Sequence, residues 1–256
     1  MIVTFGPNYL QFSHHLLSFQ YLTLSSLSSS FGILIQLMTS SSDQEYLLEM
    51  VQKSVLGTPT EYDAYGVITE AFFLHKKPRN RYTLFPQLYI PWKPSMPDPR
   101  GILPDFGIGR YYEQPPHIRL QGGVEVKRAT TFMIQLPPPG IVARDENVKI
   151  ILHTSQFQAA DQAKAAVKGG LLPNTQLLWL MFIGPYFTTL EFGPFSAQQL
   201  ITRSHKPNPS GDFSETLDIM MKKDADPIVY DLYLLGTPAA AEKLEFFINY
   251  TSKLLS

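Results

Sequence analysis

A double proline, Pro115-Pro116, sits between two runs of strand-forming residues, Ile102 to Tyr112 and Gly122 to Thr130. Neither proline can donate to a β-ladder, so the pair marks a turn and the two runs are expected to fold back as an antiparallel hairpin. Facing residues in such a hairpin have numbers of constant sum. A turn centred between the prolines therefore puts Asp105 opposite position 126, one residue from Glu125. Gly122-Gly123 offers a place for a bulge that supplies the missing residue of register. Strand side chains alternate, so Glu125 and Lys127 share one face while Val124 and Val126 go into the core. The expected product is two carboxylates and one ammonium converging on one face of a twisted hairpin.

Two neighbouring carboxylates repel unless a cation lies between them, and oxygen-only ligation suits Mg2+ or Mn2+ rather than zinc. A lysine beside such a pair can orient an attacking water or balance charge on a phosphoryl oxygen. This is the only Glu-x-Lys in the chain. The other Pro-Asp pair, Pro97-Asp98, is followed by Pro99 and belongs to a loop.

Around the hairpin, Asp43 to Leu56 reads as a helix closed by Gly57. Glu61 to Leu74 reads as a second helix, whose aromatic positions are expected in the core. Tyr82 to Ile90 is a further strand, Leu136 to Arg144 a proline loop, Val148 to His153 a short buried strand and Gln156 to Lys168 a helix ended by Gly169-Gly170. Gln176 to Ile183 and Phe187 to Phe192 form a hairpin around Gly184-Pro185. Residues 203 to 215 are a polar loop, and Pro238 to Leu254 is a helix capped by Thr237. The fold class is α+β, a mixed sheet flanked by helices.

Residues 1 to 37 contain no Lys, Arg, Asp or Glu, and the first Lys or Arg is Lys53. A secretory or mitochondrial leader would start with positive charge, and the apolar run Phe31 to Met38 falls short of the ~20 residues that span a bilayer. Residues 1–37 are expected to be an extension outside the fold, whose removal leaves thermal stability nearly unchanged. Residues 38–256 are expected to form a single domain with its core at about 43–195.

The chain has no cysteine, which removes disulfides, thiolate nucleophiles and every sulfur-ligated metal site. None of HExxH, GxSxG, GxxxxGK[ST] or GxGxxG occurs, which disfavours zinc proteases, serine hydrolases of that type, P-loop NTPases and Rossmann enzymes. Net charge is −1, so any electrostatic footprint is local. It lies in one segment: His75 to Thr130 carries ten Lys and Arg against four acids. Lys76, Lys77, Arg79, Arg81, Arg110 and Arg128 in that segment are candidate phosphate contacts, and Lys76-Lys77-Pro78-Arg79 also fits a short nuclear-import pattern. The expected setting is intracellular, nuclear or cytoplasmic, with no membrane partner.

Pro104-Asp105, nineteen residues, then Glu125-Val126-Lys127, with a helix before and a Gln/Lys-bearing helix after, resembles the PD-(D/E)xK phosphodiesterase superfamily. Restriction endonucleases, recombination exonucleases and Holliday junction resolvases are among its members. The resemblance covers roughly residues 43 to 195. It implies a restriction-endonuclease-like mixed sheet and Mg2+ or Mn2+ held by Asp105, Glu125 and the main-chain carbonyl of Val126, with Lys127 acting on the nucleophilic water. It also implies a supporting glutamate on the preceding helix, for which Glu61 and Glu70 are both candidates, and a glutamine on the following helix, Gln158 or Gln162. The function so implied is metal-dependent hydrolysis of phosphodiester bonds in DNA. A catalytically silent nuclease fold that binds nucleic acid or protein is the alternative. An unrelated interaction domain predicts instead that Asp105, Glu125 and Lys127 stay apart.

Overall fold

The computed structural model describes residues 41–55, 60–76, 82–92, 102–203 and 231–255, all within one compact unit, Met38–Ser256. The expected extension 1–37, Gly57, the Pro97-Asp98 loop and nearly all of the polar loop 203 to 215 lie outside the described residues.

Helix α1 (Ser41–Val55) buries Leu47 and Val51. Helix α2 (Glu61–Leu74) has the predicted bounds, because Asp63 accepts the Thr60 N–H at its start and Ala64, Val67, Ile68, Ala71 and Phe72 repeat at helical spacing on the buried side. The aromatic positions do not all go inward. Phe72 is buried, whereas Tyr62 and Phe73 are 71% and 68% exposed.

Strand β1 (Thr83–Pro86) is shorter than expected: Gln87 has φ of 46° and turns the chain away, leaving only an isolated bridge between Ile90 and Ile102. The predicted hairpin is present as β2 (Phe106–Tyr111) and β3 (Ile118–Lys127), with β2 starting later and β3 earlier than expected, and with Tyr111 facing Ile118 so that the turn is centred one residue before the middle of the double proline. Its register passes from Gly109 facing Leu120 to Ile108 facing Gly122, so Gln121 is the extra, bulged residue, one position before the glycines named from sequence. Gly109 permits this close approach, since an added Cβ would lie 2.3 Å from the Arg119 carbonyl oxygen.

After a 3-10 turn (Thr131–Gln135), the expected proline loop contains a one-turn helix, α3 (Pro139–Val142). The short strand expected at Val148 to His153 is absent, and α4 runs unbroken from Glu146 to Lys168. Asp145 caps it, accepting the Val148 N–H at 3.1 Å. The run Val148 to Leu152 is apolar enough to read either way, but only Val148 and Leu152, four apart, are fully buried while Ile150 is 55% exposed, which is a helical pattern. The hairpin of β4 (Leu177–Ile183) and β5 (Tyr186–Phe192) turns at Gly184-Pro185 as predicted. Helix α5 (Ala197–Ile201), strand β6 (Tyr233–Leu234) and helix α6 (Pro238–Ser252), capped by Thr237, complete the described chain.

The six strands make one mixed sheet in the order β1-β2-β3-β4-β5-β6, antiparallel everywhere except at β3 and β4, which are parallel and joined through α4. Helices cover both faces. A Cβ on Gly122 would meet Phe247 and Thr251 of α6, whereas Gly123, pointing the other way, lies under Trp179 on the α4 side. Phe72 of α2 packs edge-on against Phe247, closing the first face. With both faces covered, all seven residues of β4 are buried, which suits its continuous apolar text. None of the described helices is long and apolar enough to cross a membrane.

Candidate functional site

The hairpin register places Asp105, which immediately precedes β2, one step beyond the facing pair Phe106 and Val124, beside the end of β3 that carries Glu125 and Lys127. Asp105 Oδ2 accepts the Val126 main-chain N–H at 2.6 Å. Its other oxygen, Oδ1, accepts a short hydrogen bond from the Tyr65 hydroxyl, and that hydroxyl lies 3.4 Å from Glu61 Oε1. Burial, followed by the Asp105 hydrogen bond and charge, pushes the Tyr65 phenol far up, so it stays a donor.

Glu125 is 1% exposed and sits on the α4 side of the sheet, while Val124 and Val126 face the α2 and α6 side as the alternation predicts. The Lys127 Nζ donates to Glu125 Oε1 at 2.5 Å and to Gln158 Oε1 at 3.2 Å. Gln162 Nε2 donates to Glu125 Oε2 at 2.6 Å and to the Leu103 carbonyl at 3.4 Å. Both glutamines considered from sequence therefore reach the site, because positions 158 and 162 are four apart and share one face of α4. Burial raises the Glu125 carboxyl to about 7, against the lowering effect of Lys127, with the Asp105 charge adding to the rise.

Of the two candidate glutamates, Glu61 is the one that lies near Asp105. Tyr65 lies one turn from Glu61 and contacts Asp105, whereas Glu70 is nine residues from Glu61, half a turn out of phase and about 13 Å along the axis. The three motif residues do not stay apart, which was the expectation of an accidental motif. Asp105 binds the main-chain N–H of the residue after Glu125, and Lys127 touches Glu125.

The donor set fits a hard divalent cation: two carboxylates at one strand end, the Leu103 carbonyl sharing Gln162 with one of them, and no cysteine in the chain. Among the described residues no three of His, Cys, Asp and Glu converge, but Mg2+ typically uses one or two carboxylates and keeps its waters.

The basic candidates among the described residues are dispersed. Arg128 is exposed and follows Lys127 directly. Arg110 faces Arg119 near the far end of the hairpin, five residues and about 17 Å from Asp105. Exposed Lys76 lies over the Tyr82 ring, 5.7 Å from its centroid, just past the distant end of α2. Lys77, Arg79 and Arg81 lie outside the described residues.

Two participants were not legible as such in the sequence. Tyr65 was visible only as one of the aromatic positions of α2 expected in the core, and Trp179, whose Nε1–H donates to Gln162 Oε1 at 3.2 Å, is embedded in the apolar text of β4. No family model, no curated protein and no solved structure matches the chain.

Proposed function

We propose that this chain is a restriction-endonuclease-like phosphodiesterase of the PD-(D/E)xK type, hydrolysing the DNA backbone with Mg2+ or Mn2+. One observation carries the reading. The only Glu-x-Lys of the sequence lies on the strand that pairs with the Pro-Asp strand, and Asp105, Glu125 and Lys127 meet at one strand end with two glutamines of the following helix. A mixed sheet with helices on both faces supports the same reading.

Asp105 and Glu125 hold the cation, with the Val126 carbonyl as a further oxygen. When bound, the cation lowers the pKa of a water and offsets charge on the phosphoryl oxygens. Lys127, partly exposed beside Glu125, faces the solvent side of the site and orients the incoming water. Gln162 and Gln158 hold Glu125 and Lys127 in place, and Tyr65, itself beside Glu61, steadies Asp105. In-line attack by water needs no covalent enzyme intermediate, so the missing cysteine and serine-hydrolase motifs are no obstacle.

A second reading rests on the completeness of the network. Each of the four carboxylate oxygens of Asp105 and Glu125 already has a protein donor, Tyr65, Val126 N–H, Lys127 or Gln162, so the cluster is satisfied without a cation. That is the arrangement expected of a silent nuclease fold kept for nucleic-acid or protein binding.

Incubation of the full chain with linear, circular and single-stranded DNA, with Mg2+, Mn2+ or EDTA, separates the two. Metal-dependent cutting that Lys127→Ala and Asp105→Ala both lose, with circular dichroism unchanged, is the expected result. Salt-sensitive DNA binding without cutting favours the silent fold, and neither cutting nor binding removes nucleic acid from the account.

A further inference from the structure

Gln162 has no exposed surface, and its amide can be placed in two orientations that differ only in which end faces Glu125. Hydrogen-bond chemistry selects one of them. The indole N–H of Trp179 is a donor and never an acceptor, so the amide oxygen must face it, and the amide nitrogen is left facing the Glu125 carboxylate and the Leu103 carbonyl. The opposite orientation would oppose donor to donor at the indole and acceptor to acceptor at both other contacts.

The indole is held in turn by the sheet. Trp179 faces Gly123 across the parallel β3 and β4 pair, and its ring occupies the space of the missing side chain: a Cβ on Gly123 would lie 1.9 Å from Trp179 Cζ2. Gly123 is two residues before Glu125 on the same face of β3. A glycine, an indole and a buried amide therefore form a line that ends on a carboxylate oxygen.

We propose that Trp179 is a positioning residue of the candidate site, fixing the Gln162 amide so that it presents a donor to Glu125 and leaves that carboxylate oriented to hold a divalent cation. The cation part of this inference rests on the function proposed above. The amide orientation rests on geometry alone. For a tryptophan that merely filled the core, replacement by phenylalanine would cost packing, through the lost five-membered ring, but would leave the Gln162 amide presenting the same donor to Glu125.

The test compares wild type, Trp179→Phe, Gln162→Ala and the double variant in the full chain. Side-chain amide resonances in the nitrogen–proton NMR spectrum, with those of Gln162 identified by their loss in Gln162→Ala, read the orientation without any metal. Mn2+ titration followed by electron paramagnetic resonance reads the consequence. In Trp179→Phe the downfield, carboxylate-bonded Gln162 proton is expected to move upfield and Mn2+ affinity to fall about tenfold, as for loss of an outer hydrogen-bond partner of a metal ligand. The double variant should bind no more weakly than Gln162→Ala, because Trp179 acts through Gln162. An unmoved Gln162 resonance in Trp179→Phe, or effects of the two substitutions that multiply, would overturn the proposal. Absence of Mn2+ binding by wild type would overturn the cation part together with the metal-dependent reading, while a moved Gln162 resonance would still uphold the orienting role.

Discussion

Asp105 and Val126 are joined side chain to main chain: the carboxylate ahead of β2 accepts the N–H that lies between Glu125 and Lys127. This contact fixes the Pro-Asp end of one strand against the Glu-x-Lys end of the next, and it leaves Asp105 Oδ2 with a second lone pair for another partner. Tyr65 completes the clamp from the helical side.

Glu125 links the site to stability through pH. Its carboxyl is raised from 4.5 in the unfolded chain to about 7 by burial, so folding favours its protonated form. The stabilising contribution is full below about pH 4.5 and is lost as pH rises through 7. The Tm of the metal-free protein should therefore fall between about pH 4.5 and pH 7, and Glu125→Gln should flatten that portion of the curve. A Tm profile that is the same for wild type and Glu125→Gln over this range would contradict the assignment.

Tyr65→Phe keeps the edge-to-face packing on Phe106, whose ring centroid lies 5.1 Å away, and deletes only the donor to Asp105. Loss of a hydrogen bond to a charged group in a half-buried setting should cost about 1 to 2 kcal/mol, measured by urea unfolding. Mn2+ affinity should fall as well, because Asp105 keeps only its Val126 N–H anchor. Glu70→Gln, on the far face of the helix, should change neither quantity.

Gly123→Ala places a methyl group inside the Trp179 ring, against a sheet that is buried on both faces. Overpacking of this kind should destabilise the fold by at least ~2 kcal/mol. Trp179→Phe combined with Gly123→Ala should recover part of the loss, since the smaller ring leaves room for the methyl. Equilibrium denaturation of the three variants gives the comparison.

Arg128 is exposed beside Lys127 and is the basic residue nearest the site by chain position. If it meets a backbone phosphate, Arg128→Ala should weaken DNA binding alike for all sequences and lower the slope of log affinity against log salt by about 1. Arg110→Ala, at the other end of the hairpin, should change the slope only for duplexes long enough to reach it. Fluorescence anisotropy with labelled DNA of two lengths at several salt concentrations measures both.

Much of this arrangement was legible in the residues. The prolines at 115 and 116 imposed the hairpin, the alternation of Val124, Glu125, Val126 and Lys127 assigned their faces, and the spacing of Ala64, Val67, Ile68, Ala71 and Phe72 set the buried stripe of α2. These are local rules, because missing N–H groups and side-chain periodicity act within one element. The bulge fell at Gln121 because a glycine at 109 on the partner strand lets the chains approach there, which single-strand text does not contain. Val148 to His153 reads as a strand in isolation and is helical because Asp145 caps it and α4 must lie along β3 and β4. Glu61 and Glu70 are equivalent by propensity and differ only in that the helix turns Tyr65, and Glu61 with it, toward Asp105. The burial that lifts Glu125 toward neutrality and the indole that orients Gln162 depend on elements far apart in the chain, brought together by packing. Sequence by itself thus determined the chemical types at the site and the hairpin that carries two of them. Tertiary structure alone decided which partners each meets, because burial and hydrogen-bond direction are properties of surroundings and not of residues.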